Sequence, residues 1–403
     1  MTSRLPLESI RVLDLSQGIA GPMCTTVLGD LGADVVKFEI PGVGDISRSW
    51  GPPFESPHNS AYFISANRNK RSAVVDLKTE SGKEVLRRMI PHTDVLVENF
   101  RPGTLARLGF DSGTLKSLNE NLIVASITGY GMAGPSRDDP SFDLVIQARS
   151  GLMSVTGTES GQPVRVGIAL FDLAAALYSV IGVLVSLRER EAGRNVPPVE
   201  VNLLDSAVGW LTYWLTGFSI THKTTPPAGT SHPLIVPYQV FPSSDGLFAL
   251  GVSNDVLWAR FCECLGLGQV QRDPRFSSNE ARVAHREELM HILEPMFRTM
   301  TNSDLVRRLS QVGVPCGPVQ SIPQLIEDPQ IAYNKSIVSV KAPGGKEVLV
   351  GGSPLVSLLP PEGQLVRRDP PGFGQPTEEV LSELGYSPKE VEALIAEWSR
   401  KGA

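Results

Sequence analysis

Arg11-Val-Leu-Asp-Leu-Ser-Gln-Gly-Ile-Ala-Gly-Pro-Met-Cys-Thr-Thr-Val-Leu-Gly-Asp-Leu-Gly-Ala-Asp-Val-Val-Lys-Phe-Glu39 is the stretch on which the fold turns. Val12–Leu15 and Asp34–Glu39 are short β-rich runs, and Pro22–Leu31 between them spaces its apolar side chains as one helix face does. Parallel neighbours need such a crossover, so strand, helix, strand predicts a parallel sheet. The alternation continues with strands predicted at 73–77, 95–98 and 122–127 and a helix at 80–90, giving a Rossmann-like α/β layer. Its first turn reads Gly18-Ile-Ala-Gly-Pro22, which is not G-x-G-x-x-G, so a nicotinamide cofactor has no support.

Outward from this layer the chain runs to 403 residues, too long for one ordinary core, so two domains are expected. The longest apolar run, Ile168 to Leu187, could span a bilayer by length, but Asp172 interrupts it and it reads as a buried helix. Residues 222 to 237, rich in Thr, Pro and Gly, read as a linker. A hairpin over 238–252, closed by Ser243-Ser-Asp-Gly246, and three helical patterns then make a smaller α+β unit. Strands at 346–351 and 354–359, a linker over 360–376 and a terminal helical pair close the chain. The formal charge of −6 and 41% hydrophobic content argue against nucleic acid or an anionic membrane surface as a partner. Four cysteines, with Cys262 and Cys264 one residue apart, form no disulfide framework or zinc knuckle, which fits a reducing compartment. No presequence is visible before the first strand, so a cytoplasmic location is expected, with the mitochondrial matrix the alternative.

Several residues could carry chemistry. Asp172 opens the apolar run, and the bland reading is a helix N-cap; a carboxylate there is also desolvated and could act as nucleophile or base. Asn99-Phe-Arg-Pro-Gly-Thr-Leu-Ala-Arg107 follows a strand, where open α/β sheets bind ligands, and Arg101 and Arg107 could meet phosphates or simply be solvated. Asn67-Arg-Asn-Lys-Arg71 and Lys78 add a second basic cluster. The six histidines show no metal-ligand spacing, and neither a nucleophile elbow nor a P-loop lysine occurs, so no metal is expected.

Together these stretches resemble the class III CoA-transferases, the group of formyl-CoA:oxalate and carnitine CoA-transferases. The resemblance is carried in order along nearly the whole chain. Its pieces include Val12-Leu-Asp-Leu15 with Ala20-Gly-Pro22, Asn67-Arg-Asn-Lys-Arg-Ser72, Asp94-Val-Leu-Val-Glu-Asn-Phe100, Ile127-Thr-Gly-Tyr-Gly131 and Val314-Pro-Cys-Gly-Pro318. It implies an aspartate nucleophile at Asp172, which attacks an acyl-CoA to give a mixed anhydride and free thiolate. It also implies a CoA site at Ile19, Ala20, Val75, Lys78, Asn99, Phe100, Arg101, Arg107 and Phe142, with CoA thioester as substrate and no tightly bound cofactor. Interlocked homodimers are implied, whose Rossmann-like large domain comes from both chain ends. That places the large domain at 1–221 and 330–403, a linker at 222–237 and the small domain at 238–329. Two departures stand out: Ile40 where formyl-CoA transferase has arginine, and Gly251-Val-Ser-Asn-Asp255 where it has a tetraglycine lid. The related α-methylacyl-CoA racemases pair their Asp with a His and a Glu, where this chain has Phe142 and Asn254; transfer is therefore favoured over racemisation. Ser49-Trp-Gly-Pro-Pro-Phe54, Gly229-Thr-Ser-His232 and Ile235-Val-Pro-Tyr-Gln239 resemble the succinate:hydroxymethylglutarate branch. This suggests succinyl-CoA as donor and a dicarboxylate acceptor, with His232, Gly251 and the 67–71 basics near the acceptor. A non-catalytic CoA-binding protein is the third reading.

Overall fold

The computed structural model describes residues 4–360 and 364–399. Strands β1 (Arg11–Asp14), β2 (Asp34–Glu39), β3 (Lys70–Val74), β4 (Val95–Glu98), β5 (Ile123–Thr128) and β6 (Val199–Asn202) form one parallel sheet in the order β3-β2-β1-β4-β5-β6. The chain builds outward from β1 to β3, then returns to lay β4 on the other side of β1. Val12 accordingly lies opposite Val35 on one side and Val95 on the other. That reversal leaves a crevice at the carboxyl ends of β1 and β4, the place where doubly wound sheets bind ligands.

The helices that position the site are α1 (Ala20–Asp30), α2 (Glu80–Met89), α3 (Asp143–Arg149), α4 (Leu170–Glu191), α5 (Thr377–Glu383) and α6 (Pro388–Ser399). Strand alternation sorts side chains between the two faces of the sheet. Leu13, Leu15, Val36, Phe38 and Leu96 share a core with Val85 and Leu86 of α2, Val380 and Leu381 of α5, and Trp398 of α6. The opposite face carries α1 and α4, and there β1 and β2 bury Asp14 and Lys37 instead of aliphatic residues. Beside β3, Asn69 and Ser72 donate backbone N–H groups to the carbonyls of Arg368 and Gln375, so a returning segment covers the sheet edge.

Three sequence-based expectations change. The third strand lies at 70–74 rather than 73–77, because Lys70 pairs with buried Asp14 and the buried Arg71 side chain pairs with the more exposed Asp34. Residues 354–359 hold a short 3-10 turn, Val356–Leu358, not a strand. The apolar helix α4 is buried on one face only: Leu177, Ile181 and Val185 are about half exposed, while Ala174, Ala175, Val180 and Val183 pack inward.

The chain divides into two compact units. The first contains the residues up to Ser150, Val166–Tyr213 and those from Pro329 onward; the second contains Gly151–Arg165 and Trp214–Asp328. The division falls at 213–214, earlier than the expected boundary at 221. Residues 151–165 also join the second unit, because Gly157 packs on Pro227 and Glu159 on Gly229. That unit has an antiparallel sheet of Tyr238–Pro242, Leu247–Gly251 and Cys316–Pro318 over a core in which Phe241, Phe248 and Phe261 surround Phe297.

Candidate active site

The loops leaving β1, β4 and β5 enclose a cavity of about 470 Å³ within the first unit. Of the expected site residues, Ile19, Ala20, Asn99, Phe100, Arg101, Phe142 and Asp172 line it. Val75 does not: its side chain is buried in the core with Leu13 and Leu15, so only its backbone could meet a ligand. Lys78 and Arg107 are exposed outside the lining, and His232 and Gly251 belong to the second unit. There the Leu234 N–H donates to His232 Nδ1 at 3.1 Å, and burial together with nearby Arg286 lowers the imidazole's proton affinity. Gly251 lies opposite Tyr238 in the hairpin.

The β1 loop is held rigid from below. Ser16 donates its N–H to Asp14 (2.9 Å) and its carbonyl accepts from Lys37 Nζ (2.6 Å). The Gln17 N–H donates to Asn99 Oδ1, whose amide nitrogen donates back to the Gln17 carbonyl (2.9 and 2.7 Å). The Gly18 N–H donates to Asp45 (3.0 Å), and Asp45 pairs with Lys37 at 2.8 Å. Gly18 has φ +79°, and Gly21 lies so close to Ser16 that a methyl group would sit 2.2 Å from its Cβ. Asp14, Lys37 and Lys70 are all fully buried. Burial opposes ionisation of Asp14, but Lys37 and Lys70 hold its carboxyl well below the usual range; burial pushes Lys70 down to about 8. Asn99 is thus first of all a clamp on the β1 loop, joining the two strands at the crevice.

Asp172 is not the N-cap. Helix α4 begins at Leu170, so Asp172 is the third helical residue, and the cap position, Ala169, has no side chain able to accept. The capping role falls to Asp143, at the start of α3, whose Oδ1 accepts from the Phe171 N–H at 2.7 Å. Its Oδ2 accepts from Gln147 at 2.6 Å. Among the described residues nothing hydrogen-bonds the Asp172 carboxylate. Burial, and then the like charge of Asp143, push its carboxyl up to about 7. A carboxylate that is desolvated and unpaired at a cavity wall keeps its lone pairs for a reacting carbon.

Sequence reasoning missed Asp143, Trp50 and Arg137, the last two lining the cavity. Only the acid heading the apolar stretch Phe142-Asp-Leu-Val-Ile146 hinted at Asp143, because its partner lies 28 residues away. The basic cluster at 67–71 is corrected outright as a ligand-facing patch. Arg68 pairs with Asp30 at 2.6 Å, Lys70 with Asp14 at 3.1 Å and Arg71 with Asp34 at 2.6 Å, all with buried cationic side chains. Asn254 caps a helix by accepting from the Leu257 N–H, and Phe142 carries no titratable group, so neither supplies an acid or base. Among the described residues no group of three or more His, Cys, Asp or Glu side chains could hold a metal.

The family described as CoA-transferase family III matches residues 7–377. The chain belongs to this family. It is a CoA-transferase, and relatives at this level of similarity cover almost all of it. It is 36% identical over 384 residues to a succinate–glutarate CoA-transferase of Agrobacterium fabrum, covering 94% of this chain and 96% of that protein. It is 35% identical to the succinyl-CoA:glutarate CoA-transferase of Homo sapiens, covering 98% and 90%. Among solved structures, a CAIB/BAIF family protein from Brucella suis superposes with a TM-score of 0.83 at 34% identity, covering 94% of this CoA-transferase and 100% of that chain.

Proposed function

We propose that this CoA-transferase moves CoA from succinyl-CoA to a dicarboxylic acid through a mixed anhydride on Asp172. One observation carries the reading: Asp172, uncommitted to capping and raised to about 7, lies in the cavity wall at the sheet's crevice. The names of the relatives above support succinyl-CoA as donor and a dicarboxylate as acceptor.

The steps balance without an external proton. The Asp172 carboxylate forms a C–O bond to the thioester carbon as the C–S bond breaks, and the electron pair leaves on the CoA thiolate. The thiolate then attacks the aspartyl carbonyl, releasing succinate and leaving an aspartyl thioester. An acceptor carboxylate displaces the thiolate to form a second anhydride, and thiolate attack on the acceptor carbonyl restores Asp172. Acyl exchange is nearly thermoneutral, so the protein's task is to keep water from the anhydride and to hold the thiolate close. At the two positions where the racemases carry their His and Glu, Phe142 has no titratable group and Asn254 caps a helix, which disfavours racemisation of that type. His232 and Gly251 are proposed as acceptor-binding residues.

Hydroxylamine added during turnover with succinyl-CoA should convert Asp172 to its hydroxamate, read by peptide mass spectrometry. Turnover without any adduct at this residue would exclude the covalent path. A panel of carboxylates should then rank dicarboxylates above monocarboxylates.

A homodimer belongs to the same reading. Leu177, Ile181 and Val185 form an exposed apolar stripe along α4, 49%, 56% and 55% exposed, and a second copy is proposed to cover it. Sedimentation should give a dimer that Ile181→Asp with Val185→Asp dissociates; an unchanged dimer would place the interface elsewhere.

A further inference from the structure

A second cavity, of about 490 Å³, lies wholly within the second unit, along the helix Arg286–Phe297. The helical repeat sets Arg286, Met290 and Glu294 on one ridge, at i, i+4 and i+8, and all three line the cavity. Its wall therefore runs from a cation through a thioether to a carboxylate. Neither charged end is satisfied. Arg286 Nη2 donates to the carbonyls of His232 and Pro233, at 2.7 and 3.2 Å, which fixes the guanidinium, but Nη1 is buried with no acceptor. Among the described residues no carboxylate pairs with Arg286, and burial works against its charge. The Glu294 carboxylate likewise has no hydrogen bond or ion pair among the described residues. Glu159, also in the lining, packs over Gly229 instead of reaching the arginine.

The two ends select one kind of ligand. Arg286 calls for a carboxylate, which a guanidinium binds through paired N–H···O bonds. A dianion is disfavoured, because Glu159, Glu287 and Glu294 put three carboxylates around the same space. An ammonium group at the Glu294 end turns that repulsion into attraction. Two helical turns separate Arg286 from Glu294, about 12 Å along the axis, and hydrogen bonds at both ends leave room for about five methylenes between the ligand's charges. Met290 meets such a stem with a flexible apolar side chain, and Pro227 and Ala228 add apolar surface. We infer that this cavity binds a linear zwitterion, its carboxylate on Arg286 and its ammonium on Glu294, joined by a short hydrocarbon chain. The site shares no lining residue with the cavity that holds Asp172.

Binding is measured without turnover, so its outcome is independent of the transferase reading. The probes ε-aminocaproate, caproate and glutarate are titrated calorimetrically into the full chain and into Arg286→Lys, Arg286→Gln and Glu294→Gln. The parent should bind ε-aminocaproate about tenfold more tightly than caproate; Arg286→Gln should weaken it about tenfold or more, and Arg286→Lys by less. Glu294→Gln leaves the Arg286 bonds to the His232 and Pro233 carbonyls intact, so it tests the site even where the arginine variant folds poorly. It should reduce ε-aminocaproate to the affinity of caproate. Caproate binding the parent as tightly as ε-aminocaproate would overturn the zwitterion. So would glutarate binding through Arg286 more tightly than either, which would make the cavity a dicarboxylate site. No binding of ε-aminocaproate at about 10 mM would overturn the site itself.

Discussion

Asp172→Asn should abolish CoA exchange from succinyl-CoA, a loss on the order of 10⁴-fold or more, and should also make the protein more stable above neutral pH. Both results come from the same desolvation. The carboxylate has no hydrogen-bond donor among the described residues and has Asp143 as a like charge, so ionisation in the folded chain is unfavourable and the carboxyl rises to about 7. In the unfolded chain it would titrate near the ordinary aspartate value, about 4. Between these two values the native state holds a proton that the unfolded state has released, so this group's contribution to stability falls as pH rises. The penalty is complete above about pH 7. Asparagine keeps the shape and removes the charge. Chemical denaturation at pH 8 should therefore show Asp172→Asn more stable than its parent by roughly 1–3 kcal/mol, with the difference vanishing near pH 4. For the parent, kcat/KM should have an acid limb near pH 7, because only the ionised carboxylate attacks. A variant that still turns over at a normal rate, or that is less stable at pH 8, would contradict the role given to the carboxylate.

Lys37→Met should be among the most destabilising single changes in the first unit. Lys37 Nζ lies 2.8 Å from Asp45 and 3.7 Å from Asp14, and all three side chains are fully buried. Removing the cation leaves carboxylates in the interior with only part of their compensation, and breaking a buried pair from one side costs about 3–5 kcal/mol. The Ser16 carbonyl loses its donor as well, and the loop that supplies Gln17 to Ala20 loses the link through Asp45 to Gly18. Urea unfolding should register the loss, and CoA affinity should fall with it. A destabilisation below about 1 kcal/mol would mean that the network is decorative.

Much of this was legible in the sequence. The β1, β2, β4 and β5 runs stand out because central parallel strands are buried on both faces and so are rich in Val, Leu and Ile, although β1 and β2 also bury Asp14 and Lys37. Asp172 was conspicuous as the one charge in an apolar run. What escaped was set by partners distant along the chain. Lys70 and Arg71 read as a surface cluster, yet they are a strand whose charges meet Asp14 and Asp34. Asp143 is ordinary in its own stretch and acquires its role only where α3 brings it to the head of α4. Arg137 lies in a loop with no pattern.

The joint core described above also governs how the chain emerges from the ribosome. Leu13 of the first strand packs in one cluster with Trp398, which is synthesised roughly 385 residues later. At about 5–20 residues per second, the opening strands wait tens of seconds for the helices that close their core. During that interval β3 lacks the segment that later bonds to Asn69 and Ser72, leaving an uncovered strand edge on the nascent chain. The nascent protein is therefore a natural client for a chaperone that shields strand edges, and removing its last two helices should leave an aggregating product rather than a smaller enzyme.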